Sequence, residues 1–410
     1  MLELFRSNTA AANIAKYPHA IRRPALENNF MALINYLTQI QFDFGAVALL
    51  PDECARTGIR RPLVVTDKGV VAAGVAEQAL SAIRGRLEFA VFDETPGNPT
   101  EAMVLKALAR YRAHGSDGLV AIGGGSSMDL AKGVAILAGH AEPLTQYATI
   151  EGGSGKITPA CAPLIAIPTT SGTGSEVARG AILILNDGRK VGFHSWHLMP
   201  RAAICDPDLT LGLPPGLTAA TGMDAVAHCI ETFLSAAFNP PAEGIALDGL
   251  ERAMKWIRTA VDEGSNREAR RQMMSASMQG AMAFQKGLGA VHSLSHALGS
   301  FPQKTLHHGT LNAVVLPAVL RFNASADSVI AQDKYAKLRR AMGLAGGAAV
   351  DQYIAGLNRD IGIAPGLEEM GVPTSFFDEA IGKAMKDHCH TTNPRIATPD
   401  QYRTMLEEAY

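Results

Sequence analysis

The stretch "GLVAIGGGSSMDLAKGVAIL" (118–137) decides the fold. "GLVAIGGG" reads as a short buried strand that runs straight into three glycines, and a helical pattern of small and apolar residues follows. Glycines between a strand and a helix let backbone N–H groups approach a diphosphate closely. The helix N-terminus adds a dipole that favours negative charge. Ser126 or Ser127 is expected to cap this helix, with Asp129 in its first turn. The spacing is not the GxGxxG dinucleotide fingerprint, so on its own the loop also fits a plain tight turn.

Working outward, the same texture repeats on both sides. "RPLVVTD" (61–67) and "LEFAVFD" (87–93) read as strands, and "TEAMVLKALARYRAHG" (100–115) reads as an amphipathic helix ending in glycine. "APLIAIPTT" (162–170) is a further apolar strand, and strand–helix alternation of this kind implies a parallel sheet with helices on its faces. Strands around an Asn186-Asp187-Gly188 turn are expected within 177–205. After Pro214–Pro215 the period is helical almost throughout, as in "DAVAHCIETFLSAAF" and "REARRQMMSASMQGAMAF". The fold class expected is therefore α/β plus all-α. A Rossmann-like nucleotide-binding domain with a parallel sheet spans 1–213, including an N-terminal extension 1–35. An all-helical metal and catalytic domain spans 214–410.

A second polar loop strengthens the nucleotide reading. "PTTSGTGSE" (168–176) leaves a strand with five hydroxyl side chains and two glycines. Two such loops at the ends of parallel strands suit one extended polar ligand. Asp67 ends "PLVVTD", where an acid can bond a ribose hydroxyl and repel a 2′-phosphate, favouring NAD over NADP. It serves equally well as a helix cap. "EGGSGKIT" (151–158) has the GK of a P-loop but lacks the glycine five residues earlier, and is expected to be a solvent loop.

The helical half gathers the metal-type side chains. Asp224 and His228 are spaced i, i+4, as are His292 and His296, so each pair projects from one helix face. His307 or His308 follows. Two such clips and a following histidine exceed what a metal needs, and a nitrogen and oxygen set without thiolate suits Fe(II) or Zn(II). His194 and His197, flanking Trp196, are expected at the surface. "HCH" (388–390) cannot bind one ion, because three adjacent side chains diverge on helix or strand. His390 or Asn393 is a candidate for the substrate pocket. Cys229 is expected to be packing.

Composition narrows the function classes. The 410 residues are 47% hydrophobic and 19% charged, with a formal net charge of −2. That balance gives no reason to expect nucleic acid or a membrane surface as partner. Five scattered cysteines form no CxxC, so neither a disulfide framework nor a thiolate zinc site is indicated. No secretory signal and no membrane-spanning apolar run is read, and a cytoplasmic location is expected.

In order along the chain stand "GGGSSMDLAK", "PTTSGTGSE", "TGMDAVAHCIE", "GAVHSLSHALG", "HHGTLNAVVLP" and "TNPR". Together they resemble the iron-containing (group III) alcohol dehydrogenases, from about residue 40 to the end. The resemblance implies a dehydroquinate-synthase-like fold and a homodimer or larger homo-oligomer. It implies metal ligands Asp224, His228, His292 and His308, and leaves His296 beside the nicotinamide as a proton carrier. It implies cofactor contacts from Asp67, Asn98, Gly124, Gly125, Ser126, Asp129, Thr169, Thr170, Thr173 and Lys190. The His296-to-His308 interval is longer than the family's usual one, which makes His307 an extra candidate. The expected activity is hydride transfer between a metal-bound primary alcohol or aldehyde and NAD(H). The alternatives are a maleylacetate-reductase-like enzyme of the same fold and a non-catalytic binding protein that kept it. The full Asp/His₃ set speaks against the first, and two nucleotide loops against the second.

Overall fold

The structure is a computed structural model that describes residues 38–410 apart from Pro302 and Thr305. The extension 1–35 lies outside the described residues. Six strands form a parallel sheet in the order β1-β8-β5-β4-β2-β3. They are β1 (Gln39–Phe42), β2 (Pro62–Val65), β3 (Ala90–Phe92), β4 (Gly118–Gly123), β5 (Leu164–Pro168) and β8 (Ala202–Cys205). A separate antiparallel pair, β6 (Gly180–Ile184) and β7 (Lys190–His194), closes around Asn186-Asp187-Gly188. Gly188 there has φ 85°, which the glycine takes without strain.

The near-continuous apolar runs of β2, β4 and β5 follow from helices on both faces. Leu119 and Ala121 of β4 join one core with Val104 and Leu108, while Val120 and Ile122 join another with Leu50 and Leu80. The helices of this half are α1 (Leu50–Thr57), α2 (Lys68–Ala72), α3 (Val75–Leu80), α4 (Glu101–His114) and α5 (Gly125–Gly139). The order of strand addition reverses between the parallel neighbours β2 and β4: β2 continues to β3 on one side, and β4 continues to β5 on the other. Ligands of open α/β sheets bind beyond the strand ends at such a reversal. The glycine loop after β4 and Asp67 after β2 both stand there. Gly123 is in register with Pro168, so β4 and β5 end level, while β2 ends at Val65 opposite Ala121, two residues short of them, and Asp67 follows two residues later.

From Pro215 onward the described elements are helical. α6 (Pro215–Leu234) is buried continuously from Thr218 to Leu234. It is the central helix of this half and is apolar nearly all round, as a fully surrounded helix must be. Around it lie α7 (Pro240–Asp262), α8 (Arg267–Met282), α9 (Ala290–Leu298) and α10 (His308–Asn323). The first turn of α10 meets α6 so closely that a Cβ on Gly309 would sit 2.1 Å from the Ala220 carbonyl oxygen. Only glycine permits that approach, and it carries His308 up to the face of α6 that holds Asp224.

Most elements read from the sequence stand where expected, with differences at two places. Strand β1 and its pairing with β8 were not foreseen. "EGGSGKIT" is largely exposed, as expected of a solvent loop, but it contains a 3₁₀ turn (Gly153–Lys156), with Gly153 buried and Ser154 on the wall of the main cavity.

Candidate metal and nucleotide site

Asp224 and His228 stand one turn apart on α6, with His228 Nε2 3.4 Å from Asp224 Oδ1. His292 from α9 and His308 from the first turn of α10 each bring Nε2 to 3.7 Å from the same oxygen. His307 is the residue before α10, is exposed, and takes no part in this convergence. The His228 and His292 rings stack at 4.7 Å, and the His292 and His308 rings meet at 5.3 Å. Two ligands each about 2.0–2.2 Å from an ion at the tetrahedral angle lie about 3.3–3.6 Å apart. The 3.4 Å separation falls on that edge and the two of 3.7 Å lie just beyond it, and the donors are imidazole nitrogens and a carboxylate. The residues present fit a divalent cation.

Partners behind the cluster fix it. Glu231 lies on the same face of α6, at i+7 from Asp224. Its Oε2 is 2.5 Å from His292 Nδ1, and its Oε1 accepts the Val291 N–H at 2.7 Å. A proton held on Nδ1 by Glu231 leaves Nε2 as the donor atom toward the cluster. Asn312, one turn beyond His308, donates from Nδ2 to Asp224 Oδ1 at 2.7 Å. Burial works against ionising Asp224, yet His228, His308 and His292 around it hold its carboxyl well below the usual carboxylate range. Burial pushes His228 down to about 4. For His292 burial acts in the same direction, but Glu231 and Asp224 overcome it and raise it to about 9.

His296 projects one turn beyond His292, and its Nδ1 is 3.0 Å from Asp387 Oδ2. Its ring stacks on His308 at 5.3 Å and on His388 at 5.9 Å. His388 in turn lies 5.0 Å from His194, whose Nδ1 is 2.8 Å from Thr149 Oγ1. His194, expected at the surface, therefore lines the cavity instead, while His197 is exposed as expected. The three residues of "HCH" do diverge: His388 enters the cavity, Cys389 is buried, and His390 bonds Tyr402 Oη at 3.0 Å. Neither His390 nor Asn393 reaches the cavity. Asn393 holds the Ala290 N–H at 3.0 Å, and the neighbour that lines the wall is Thr392.

The glycine loop is built differently from the sequence expectation. Gly124 is the N-cap of α5, with no side-chain cap, so neither Ser126 nor Ser127 closes the helix end. Ser126 Oγ donates instead to the Gly97 carbonyl at 2.7 Å. A side chain at Gly125 would lie 2.7 Å from Thr173 Cγ2, so the two polar loops touch there and the uncapped N–H groups stay accessible. The fit to an anionic ligand rests on that open helix end. Asp129 sits in the second turn rather than the first, and accepts Ser175 Oγ at 2.8 Å and the Ile182 N–H at 3.0 Å. Lys132, which sequence reading passed over, donates to the carbonyls of Ser175, Ala178 and Gly180 and fixes the second loop to α5. Lys190 Nζ donates to Asn98 Oδ1 at 3.0 Å. Asp67 accepts the Val70 N–H at 2.9 Å, so its helix-cap role is present.

A cavity of about 740 Å³ joins the two sets. Asn98, Gly125, Ser126, Asp129, Thr173 and Lys190 line it together with Asp224, His228, His292, His296 and His308. Asp67, Gly124, Thr169 and Thr170, at the strand ends, are not among the lining residues. Sequence reading missed Glu231, Asn312 and Asp387. The first two carried a signal, since 224-228-231 and 308-312 are helical repeats of one face. Asp387 carried none.

Comparison with known proteins places this arrangement. Residues 38–207 match the sequence model described as iron-containing alcohol dehydrogenase, and 218–410 match the C-terminal part of the same family. The 4-hydroxybutyrate dehydrogenase of Cupriavidus necator is 66% identical over 382 residues, 92% of this chain and 100% of that one. Among solved structures, 1,3-propanediol oxidoreductase superposes with a TM-score of 0.86 at 34% identity, over 92% of this chain and 100% of that one. The NAD⁺ complex of sulfoacetaldehyde reductase from Bifidobacterium kashiwanohense gives 0.81 at 28%, over 92% and 98%. With its sheet-end glycine loop and its histidine-lined helical half, this chain belongs to the iron-containing alcohol dehydrogenase family and is an oxidoreductase.

Proposed function

We propose that the protein is an NAD(H)-dependent alcohol dehydrogenase and aldehyde reductase in which Asp224, His228, His292 and His308 hold Fe(II) or Zn(II). The observation that carries this is three imidazole Nε2 atoms within 3.4–3.7 Å of one Asp224 oxygen, in a cavity shared with the glycine loop. When bound, the ion would supply Lewis-acid polarisation of an alcohol or aldehyde oxygen, and the nicotinamide would supply the hydride acceptor or donor. The chain's own residues do the rest. Glu231 and Asn312 orient the ligand set. The open N-terminus of α5 receives the pyrophosphate, with Gly124, Gly125, Ser126, Asn98 and Thr173 around it. Asp129, Thr169, Thr170 and Lys190 hold the shape of that cradle. Asp67 meets the adenosine ribose and disfavours a 2′-phosphate. His296, its Nδ1 tied to Asp387, takes up or returns the hydroxyl proton at Nε2.

The division between an α/β unit 1–213 and a helical unit 214–410 follows the change from strands to helices at Pro214–Pro215. Five buried free cysteines suit a cytoplasmic enzyme, and a homodimer or larger assembly rests on the family resemblance. The 66% relative recommends 4-hydroxybutyrate and its semialdehyde as first substrates. The test is NAD⁺ reduction at 340 nm with that acid, before and after chelation and after return of Fe(II) or Zn(II). Turnover that chelation removes and either ion restores is expected. Full turnover in metal-free protein would sink the metal role.

A further inference from the structure

The cavity has a third region besides the nucleotide loops and the histidine cluster. Arg179 and Trp196 form part of its wall, together with His194 and His388. The charges there are one-sided. Asp129 and Asp224 are the carboxylates on the cavity wall among the described residues, and both are engaged elsewhere, with Ser175 and Ile182 and with the histidines. The cationic side chains of the wall are Lys190, Lys286 and Arg179. Lys190 bonds Asn98, and Lys286 is buried against Glu243 at 2.7 Å. Arg179 has no acidic partner among the described residues.

Its setting is rigid. The Arg179 carbonyl accepts the Ser195 N–H at 3.1 Å, and the next residue, Gly180, pairs with His194 across the β6–β7 hairpin. The guanidinium lies over the Trp196 ring at 4.7 Å. Stacking of this kind holds the planar fork in place while its N–H edge stays available. The same flank carries the imidazoles in sequence, His194 to His388 at 5.0 Å and His388 to His296 at 5.9 Å. Arg179 thus stands beside the imidazoles that lead to the metal ligands, on a segment whose Ala178 and Gly180 carbonyls are tied to Lys132 of α5.

We propose that Arg179 binds the carboxylate at the far end of the substrate, so that the enzyme prefers ω-hydroxy acids and ω-oxo acids to uncharged alcohols and aldehydes. The inference rests on the dehydrogenase reading above and deepens it. A guanidinium in place before the ligand arrives pairs bidentately with a carboxylate and leaves the hydroxyl end to reach the histidine cluster. A neutral chain of the same length gains nothing from it. Arg179 is a specificity residue, and its effect belongs in the discrimination between substrates.

The experiment compares kcat/KM for 4-hydroxybutyrate with that for butan-1-ol, in the metal-loaded full-length enzyme and in Arg179→Met and Arg179→Lys. The unmodified enzyme is expected to favour the acid. In Arg179→Met the acid-to-alcohol ratio is expected to fall on the order of 10- to 100-fold, mostly through KM for the acid. Arg179→Lys keeps the charge without the fork, so its ratio should lie between the two, and it decides the matter if the methionine variant does not fold. A ratio unchanged in both variants overturns the proposal, as does a rise in KM for NAD⁺ that affects both substrates equally. Unmodified enzyme that oxidises butan-1-ol without preferring the acid also overturns it, while the dehydrogenase reading stands. Inactivity of the unmodified enzyme on both substrates removes the reading and this inference together.

Discussion

The two halves of the cavity recognise their ligands by opposite means. On the sheet side the polar groups are backbone N–H groups of an uncapped helix end and hydroxyls on two loops, and the side chains around them hold the loops in shape. On the helical side the polar groups are side chains at helical spacing, and the backbone is already satisfied within α6, α9 and α10. The sheet side tolerates a change of side chain if the loop path survives. The helical side tolerates a change of path only where the donor atoms still meet. Gly125 and Gly309 show the same residue type in the two roles. One opens a helix end to a ligand, and the other lets two helices approach until His308 reaches Asp224.

This contrast can be broken from either side. The larger effect is expected on the helical side, from Glu231→Gln. The carboxylate that bonds both His292 Nδ1 and the Val291 N–H is lost. Metal affinity measured by equilibrium dialysis should fall about 10- to 100-fold, with NAD⁺ affinity preserved. Unchanged metal affinity would show that Glu231 does not orient the site. On the sheet side, Gly125→Val puts a side chain against Thr173, 2.7 Å from Cγ2. Overpacking of this kind costs about 1–3 kcal/mol, and KM for NAD⁺ should rise roughly tenfold. Metal content should stay as it was. A variant that lost metal instead would mean that the two sides are not separately built.

Much of this was legible in the sequence, and the reasons differ by half. The parallel sheet could be read because β2, β4 and β5 are buried on both faces and carry no polar interruption. Strand β1 could not, since its Gln39 and Gln41 side chains bond Glu53 and give it no apolar run. Asp224/His228 and His292/His296 stood out because helical spacing is fixed by geometry. The choice of His308 over His307 was not readable from adjacency, because it depends on where α10 begins. By local pattern His194 reads as a surface residue and His388 as one of three divergent neighbours in "HCH". They meet at 5.0 Å only because the β6–β7 hairpin and the segment before "TNPR" come together across 194 residues of chain, a pairing no local pattern encodes.

The most direct test of the central claim, a metal site in the helical half that is separate from the nucleotide site of the sheet half, is made on one preparation of His292→Ala. Metal content by elemental analysis and NAD⁺ binding by calorimetry are measured together, against the unmodified enzyme. The account predicts metal reduced by more than the roughly 10- to 100-fold that an outer partner costs, with NAD⁺ binding retained. Metal retained at full stoichiometry in the folded variant would contradict it.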